Sequence, residues 1–211
     1  TCGHRLGALD MIPVLSYIFL GGKCRYCHTH YSARYALVEF LTGVLFTLAG
    51  FYYLPGLSLA LVFLFTAILI VITFIDFDHQ IIMNRFVLLL LVLGALYVGF
   101  YTQAYMSALA GMVFAGGTML VIYFLSRGGM GEGDVKLAFA LGLWLGWPNA
   151  TVLLLLAFVM GGVVGIVLLA TKLKGRKDPI PFGPYLCIAA YLTLLYGPYM
   201  IYRYWQFFAT R

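Results

Sequence analysis

Seven apolar runs, roughly residues 35–54, 57–75, 86–102, 106–125, 135–147, 149–171 and 182–204, constrain this chain more than any other feature. A helix rises about 1.5 Å per residue and the hydrocarbon core of a bilayer is about 30 Å thick, so runs near 20 residues match single crossings. The runs are continuous and do not alternate, which excludes a barrel and predicts an all-α, polytopic membrane helical bundle. Composition agrees: 64% of the 211 residues are hydrophobic and 9% charged, too apolar for a water-soluble domain. The fifth run is short. It is expected to be tilted, kinked or shielded by protein, with Gly142 and Gly146 allowing close helix contact, as do Gly111 with Gly116 and Gly161 with Gly165.

Residues 1–34 form the long polar stretch and are read as a separate extramembrane module ahead of a membrane domain over 35–211. The chain carries no basic, apolar, small-residue signal peptide. Its orientation follows from the basic residues. With alternating spans, residues 1–34, 76–85, 126–136 and 172–181 share one side and hold 11 of the 13 lysines and arginines; this side is assigned to the cytoplasm. The net charge of +6 then favours anionic cytoplasmic lipid as a partner. A nucleic-acid partner is not expected, because no basic face is interleaved with aromatics for stacking.

The same count puts Asp10, Asp76, Asp78, Glu132, Asp134 and Asp178 on the cytoplasmic side, with Glu39 near the start of the first span. Two boundaries stand out. Asp76 and Asp78, in Ile75-Asp76-Phe77-Asp78-His79-Gln80, follow the second run, and Asp134 opens the fifth within Gly128-Gly129-Met130-Gly131-Glu132-Gly133-Asp134. A lone boundary aspartate reads as a solvated helix end. Two at neighbouring boundaries can share one proton, since like charges a few ångströms apart resist joint ionisation. One ionised and one protonated carboxyl can activate water and protonate a leaving amide, which is aspartic-peptidase chemistry. Gly131 and Gly133 are expected to free the backbone for an approaching substrate strand, and the glycine-rich loop to be mobile until that strand aligns Asp134.

Cys24-Arg25-Tyr26-Cys27 is a C-x-x-C pair, and Cys2 offers a third thiolate. Tetrahedral zinc needs four ligands, so the fourth comes from an upstream cysteine or from His4, His28 or His30; ordinary reduced thiols are the competing reading. A disulfide is disfavoured in the reducing cytosol. Cys187, inside an apolar span, is expected to be a small buried hydrophobe.

The G-x-G-D of Gly131 to Asp134, the I-D-x-D-H-Q of Ile75 to Gln80, the Gly22-Lys23-Cys24-Arg25-Tyr26-Cys27 segment and Pro181-Phe182-Gly183-Pro184 together resemble the type IV prepilin leader peptidases. The resemblance extends over essentially the whole chain. It implies eight spans, so that the family's first span and the first cysteine of its first pair fall before Thr1. It also implies catalysis by Asp76 and Asp134, with cleavage of prepilins and pseudopilins after a glycine at the end of a basic leader. Zinc in the cysteine module and methylation of the new N-terminus with S-adenosylmethionine are implied as well, at the bacterial inner membrane. Asp78 and Glu132, with Asp10, are candidates to meet the basic leader, and Gly131 and Gly133 to pair with its backbone. Met83-Asn84 replaces the family's usual Pro-Asp, and no glycine-rich nucleotide fingerprint marks a methyl-donor site. Two other readings compete: a proton-coupled transporter using the same aspartates, which calls for acids in the outer halves of the spans that this chain lacks, and a non-enzymatic secretion scaffold.

Overall fold

The structure is a computed structural model describing residues 2–126, 129–173, 175 and 180–209. Arg127, Gly128, Lys174, Arg176, Lys177 and Asp178, used above in the charge and motif arguments, lie outside these residues. The described chain is helical and has no strand; an isolated antiparallel bridge joins Lys23 and His30. It divides into two compact units, Thr1–Tyr53 and Leu54–Arg211. The expected boundary near residue 34 lies at the entry to the second helix, which belongs with the first unit.

The first unit holds a 3-10 turn, Ala8–Met11, then the short helix α1, Leu15–Phe19, and the long helix α2, Ala33–Tyr52. Ser32 starts α2, its side-chain oxygen accepting from the Arg34 amide. Most of α2 is exposed and apolar, with Ala36 and Ala49 its buried residues. Such a surface belongs against lipid. Ahead of α2, buried apolar side chains are absent among the described residues, and polar contacts organise the chain. Asp10 accepts from the Gly7 amide at 3.0 Å and from Arg25 Nε at 2.6 Å. The Glu39 carboxylate accepts from the Val14 amide at 2.9 Å, satisfying a residue held at φ 63°.

The second unit comprises α3 (Leu57–His79), α4 (Asn84–Tyr97) running on through a π-helical turn to Thr102, α5 (Tyr105–Leu125), α6 (Glu132–Leu145), α7 (Asn149–Ala170) and α8 (Gly183–Ala209). With α2, six helical segments among the described residues are long and apolar enough to cross a membrane. The expected short fifth span is α6. At 14 residues it cannot cross alone, and the protein shields it: α4, α5, α7 and α8 all pack on it, and nine of its residues are buried.

Glycine makes that enclosure possible. A Cβ on Gly111 of α5 would lie 2.6 Å from the Gly142 carbonyl oxygen and 2.5 Å from the Gly146 carbonyl carbon, so α5 and α6 meet backbone to backbone. Gly116 receives the Phe139 ring, and Gly161 takes the Phe182 ring, whose nearest atom would be 3.2 Å from a Cβ there. Gly165 differs from the expectation, because the nearest atom to a Cβ there is Ile180 Cδ1, at 4.0 Å. On the opposite side of α6, Trp144 lies against Gly94, stacks with Tyr97 at 4.9 Å and donates its indole N–H to the Leu90 carbonyl at 2.7 Å. That bond satisfies the one polar atom of a large buried ring.

Candidate active site

The apolar run that ends at Ile75 does not end its helix. α3 continues to His79 and closes when Gln80 turns left-handed, φ 53°, its amide donating to the Asp76 carbonyl at 2.9 Å. Asp76 therefore stands inside the last turns of a transmembrane helix, 4% exposed, and not in a loop beyond it. Asp78 sits two residues on, where helical geometry points it to another side, and it is exposed. It does not line the cavity that Asp76 enters.

Asp134 stands in the first turn of α6, 8% exposed, where the helix N-terminus favours negative charge. Gly131 is the N-cap, with φ −73°, and Gly133 is already helical. Neither needs the backbone freedom proposed for it from sequence. Gly133 is required for another reason: a Cβ there would lie 2.9 Å from Ile82 Cβ.

Asp76 and Asp134 line one cavity of about 230 Å³ together with Gln80, Ile81, Ile82, Gly131, Glu132 and Gly133. The two aspartates reach it from different helices, α3 and α6. One oxygen of each, Asp76 Oδ2 and Asp134 Oδ1, is buried and has no hydrogen-bond partner among the described residues. Buried carboxylate oxygens without partners cost free energy wherever nothing polar meets them, and a water or peptide group in this cavity can satisfy them.

A third helix end completes the site. The N-terminus of α8 brings the Gly183 amide against the Asp76 carboxyl, and a Cβ on Gly183 would meet Asp76 Oδ2 at 2.6 Å. The same Cβ would lie 3.1 Å from Ile82 Cδ1. Sequence reasoning marked Pro181-Phe182-Gly183-Pro184 only as part of a resemblance and passed over Ile82, an ordinary residue whose place between Gly133 and Gly183 arises from contacts distant in sequence. At the cavity rim Lys136 Nζ reaches Glu132 Oε1 at 2.8 Å and Asn84 Oδ1 at 3.3 Å, linking the first turns of α6 and α4. Glu132, offered above as a contact for a basic leader, thus already shares its charge with a lysine.

The first unit carries the cysteine cluster. The sulfurs of Cys2, Cys24 and Cys27 all lie within 4.8 Å of one another, and no histidine joins them among the described residues. A tight turn forms the C-x-x-C pair: Cys24 donates its amide to the Thr29 carbonyl at 2.9 Å, and its carbonyl accepts from the His28 amide at 3.0 Å. Zinc–sulfur bonds of about 2.3 Å hold tetrahedral ligands about 3.8 Å apart, so three thiolates this close fit one ion. Cys27 is suited to the role, because the Thr29 hydroxyl, 3.3 Å from its sulfur, and the Thr29 amide, with the thiols of Cys24 and Cys2, pull its thiol down to about 6. The Gly7 amide, with Arg25, holds the Asp10 carboxyl below the usual carboxylate range.

Beside the cysteines lies a second cavity, of about 280 Å³, whose lining includes Asp10, Tyr17, Lys23, Tyr31, Tyr35 and Glu39. Cys187, in α8, is 2% exposed and packs as a small apolar residue.

Comparison with known proteins bears on both units. Residues 63–166 match the model of the type IV leader peptidase family, and residues 1–53 that of the bacterial peptidase A24 N-terminal domain. A protein of Aeromonas salmonicida (strain A449) is 39% identical over 93% of this chain and 69% of its own length. One from Dichelobacter nodosus is 40% identical over 93% and 69%, and one from Pseudomonas aeruginosa 35% identical over 98% and 73%. Each is named a prepilin leader peptidase/N-methyltransferase. No solved structure matches.

Proposed function

The chain belongs to the type IV leader peptidase family and is a multi-pass membrane peptidase, and from that premise we propose that Asp76 and Asp134 are its catalytic pair. The observation that carries the reading is two buried carboxyls from different helices in one cavity, each with an oxygen lacking a partner. In the active pair one carboxyl is ionised and the other protonated, since two like charges in one cavity resist joint ionisation. The ionised member takes a proton from water as the water oxygen attacks the scissile carbonyl carbon, and the protonated member donates to the carbonyl oxygen, recovering a proton from that hydroxyl when the intermediate collapses. Collapse of the tetrahedral intermediate breaks the C–N bond, and a carboxyl proton passes to the leaving nitrogen. The Gly183 amide acts as a positioning group that fixes Asp76.

The substrates are prepilins and pseudopilins, whose basic leader is cut after a glycine at the cytoplasmic face of the bacterial inner membrane. Eleven of thirteen basic residues fall on the side assigned to the cytoplasm, which supports that orientation. Glu132 and Asp78 supply negative charge near the cavity for the leader, and the backbone at Gly131 and Gly133 lies along its approach. Asp76→Asn and Asp134→Asn should each lower the cleavage rate of a leader-bearing peptide in detergent by about 10²–10⁴-fold. Full activity in either variant refutes the pair.

Zinc fits the first unit, held by Cys2, Cys24 and Cys27 with a fourth ligand from outside this group, as a structural ion. The N-methyltransferase half of the relatives' name implies S-adenosylmethionine, which supplies an electrophilic methyl group when bound. The second cavity suits it: tyrosine faces accept a purine and a sulfonium, and carboxylates accept from hydroxyl and ammonium groups. Mass measurement of a prepilin-like peptide after incubation reads both leader loss and any added methyl, and calorimetry with S-adenosylmethionine alone reads binding without turnover.

A further inference from the structure

We propose that Ile82 sets the size limit on the substrate residue that contributes the scissile carbonyl, and that it admits a residue without a side chain. The inference rests on the peptidase reading above and deepens it.

Ile82 lies in the short extended link between α3 and α4, six residues beyond Asp76. Two elements meet on it, and it also borders the cavity. The first turn of α6, carrying Asp134, comes so close at Gly133 that a Cβ there would be 2.9 Å from Ile82 Cβ. The first turn of α8, carrying the amide that faces Asp76, comes so close at Gly183 that a Cβ would be 3.1 Å from Ile82 Cδ1. The cavity shared by the two carboxyls uses Ile82 as a wall. A β-branched side chain has few χ1 options to begin with, and here it is held by backbone on two sides. The wall cannot retreat.

Chemistry at the aspartates requires the scissile carbonyl carbon to lie between them, within about 3–3.5 Å of the attacking water. The α-carbon attached to that carbonyl is one bond away, so any Cβ on it is carried into the same cavity. At two close approaches to Ile82, those of α6 and α8, the chain itself is glycine and a Cβ would crowd this side chain. A substrate strand entering beside the carboxyls meets the remaining, cavity-facing side of Ile82, which cannot shift away because α6 and α8 hold the other sides. The residue on the leaving-amine side carries its side chain away from that α-carbon and is not restricted by Ile82.

The test compares two leader peptides that differ only by glycine or alanine at the carbonyl side of the cut, using the full chain in detergent. The readout is the ratio of their kcat/KM values, which is independent of the fraction of active enzyme. The wild-type chain should prefer glycine by roughly 10–200-fold, the range in which one methyl group is discriminated sterically. Ile82→Ala should reduce that ratio at least tenfold by gaining on the alanine peptide, and Ile82→Val should reduce it less. If Ile82→Ala loses its melting transition, Ile82→Val carries the test, and an unchanged ratio in it overturns the assignment. A wild-type chain that cuts both peptides equally also overturns Ile82 while leaving the peptidase intact. A chain that cuts neither overturns the peptidase reading itself.

Discussion

At Gly183 the absence of a side chain is a geometric requirement of the site. A methyl group there would press on Asp76 Oδ2 from 2.6 Å, and the carboxyl, buried on α3, would have to move. Gly183→Ala is therefore expected to lower kcat by about 100-fold, the effect of misplacing a reacting group by an ångström, with KM for a leader peptide nearly unchanged. A loss confined to KM would count against the positioning role. Cys27 offers a second residue-scale test, outside the membrane. Thiolates are the reactive form, so a thiol held near 6, by Thr29 first and by Cys24 and Cys2 as well, reaches full reactivity at lower pH than an ordinary cysteine. In metal-stripped protein, alkylation of Cys27 should show its midpoint near pH 6, and Thr29→Val should move that midpoint upward, toward the ordinary value of about 8.5. A midpoint unmoved by Thr29→Val would remove the hydroxyl as the cause.

The elements show how far sequence reading reaches. Long apolar runs made α2, α3, α5, α7 and α8 legible within a few residues, because length and continuity are local properties. The end of α3 was not, since hydropathy falls at Asp76 while the backbone ladder persists to His79, and only the helix reveals that Asp76 and Asp78 point apart. Asp76 and Asp134, which line one cavity, were both marked by motif and boundary. Their neighbours Ile82 and Gly183 reach the site through packing between separate helices, which no local pattern encodes. The shortness of α6 was visible, but the cause of its tolerance is the contact of Gly111 with Gly142. Gly142→Ala should accordingly lower stability by about 1–3 kcal/mol through overpacking. Gly117→Ala, on the same helix as Gly111 and with open space around its Cβ, should stay within about 0.5 kcal/mol of wild type. Melting temperatures in detergent distinguish the two; equal changes would show that the close approach of α5 and α6 does not decide the cost.

At the scale of the whole molecule, the two units are built on different physics. The second unit, Leu54–Arg211, contains the aspartates, Ile82, Gly183 and the buried aromatic and aliphatic core around α6. The segment ahead of α2 in the first unit has almost no buried apolar surface and relies on hydrogen bonds, the Asp10–Arg25 ion pair and the cysteine cluster. A segment so poor in core needs a staple, and a structural ion whose ligands are absent from the unfolded state contributes its binding free energy directly to folding. Removing zinc should therefore act on one unit and spare the chemistry of the other. After chelation, a protease should cut within residues 2–32 while the fragment from Leu54 onward stays intact. Hydrolysis of a leader peptide should continue over the first turnovers, because two carboxyls and water suffice for it. If hydrolysis stops at once while residues 2–32 remain protected, the metal belongs to the reaction and the carboxylate mechanism fails.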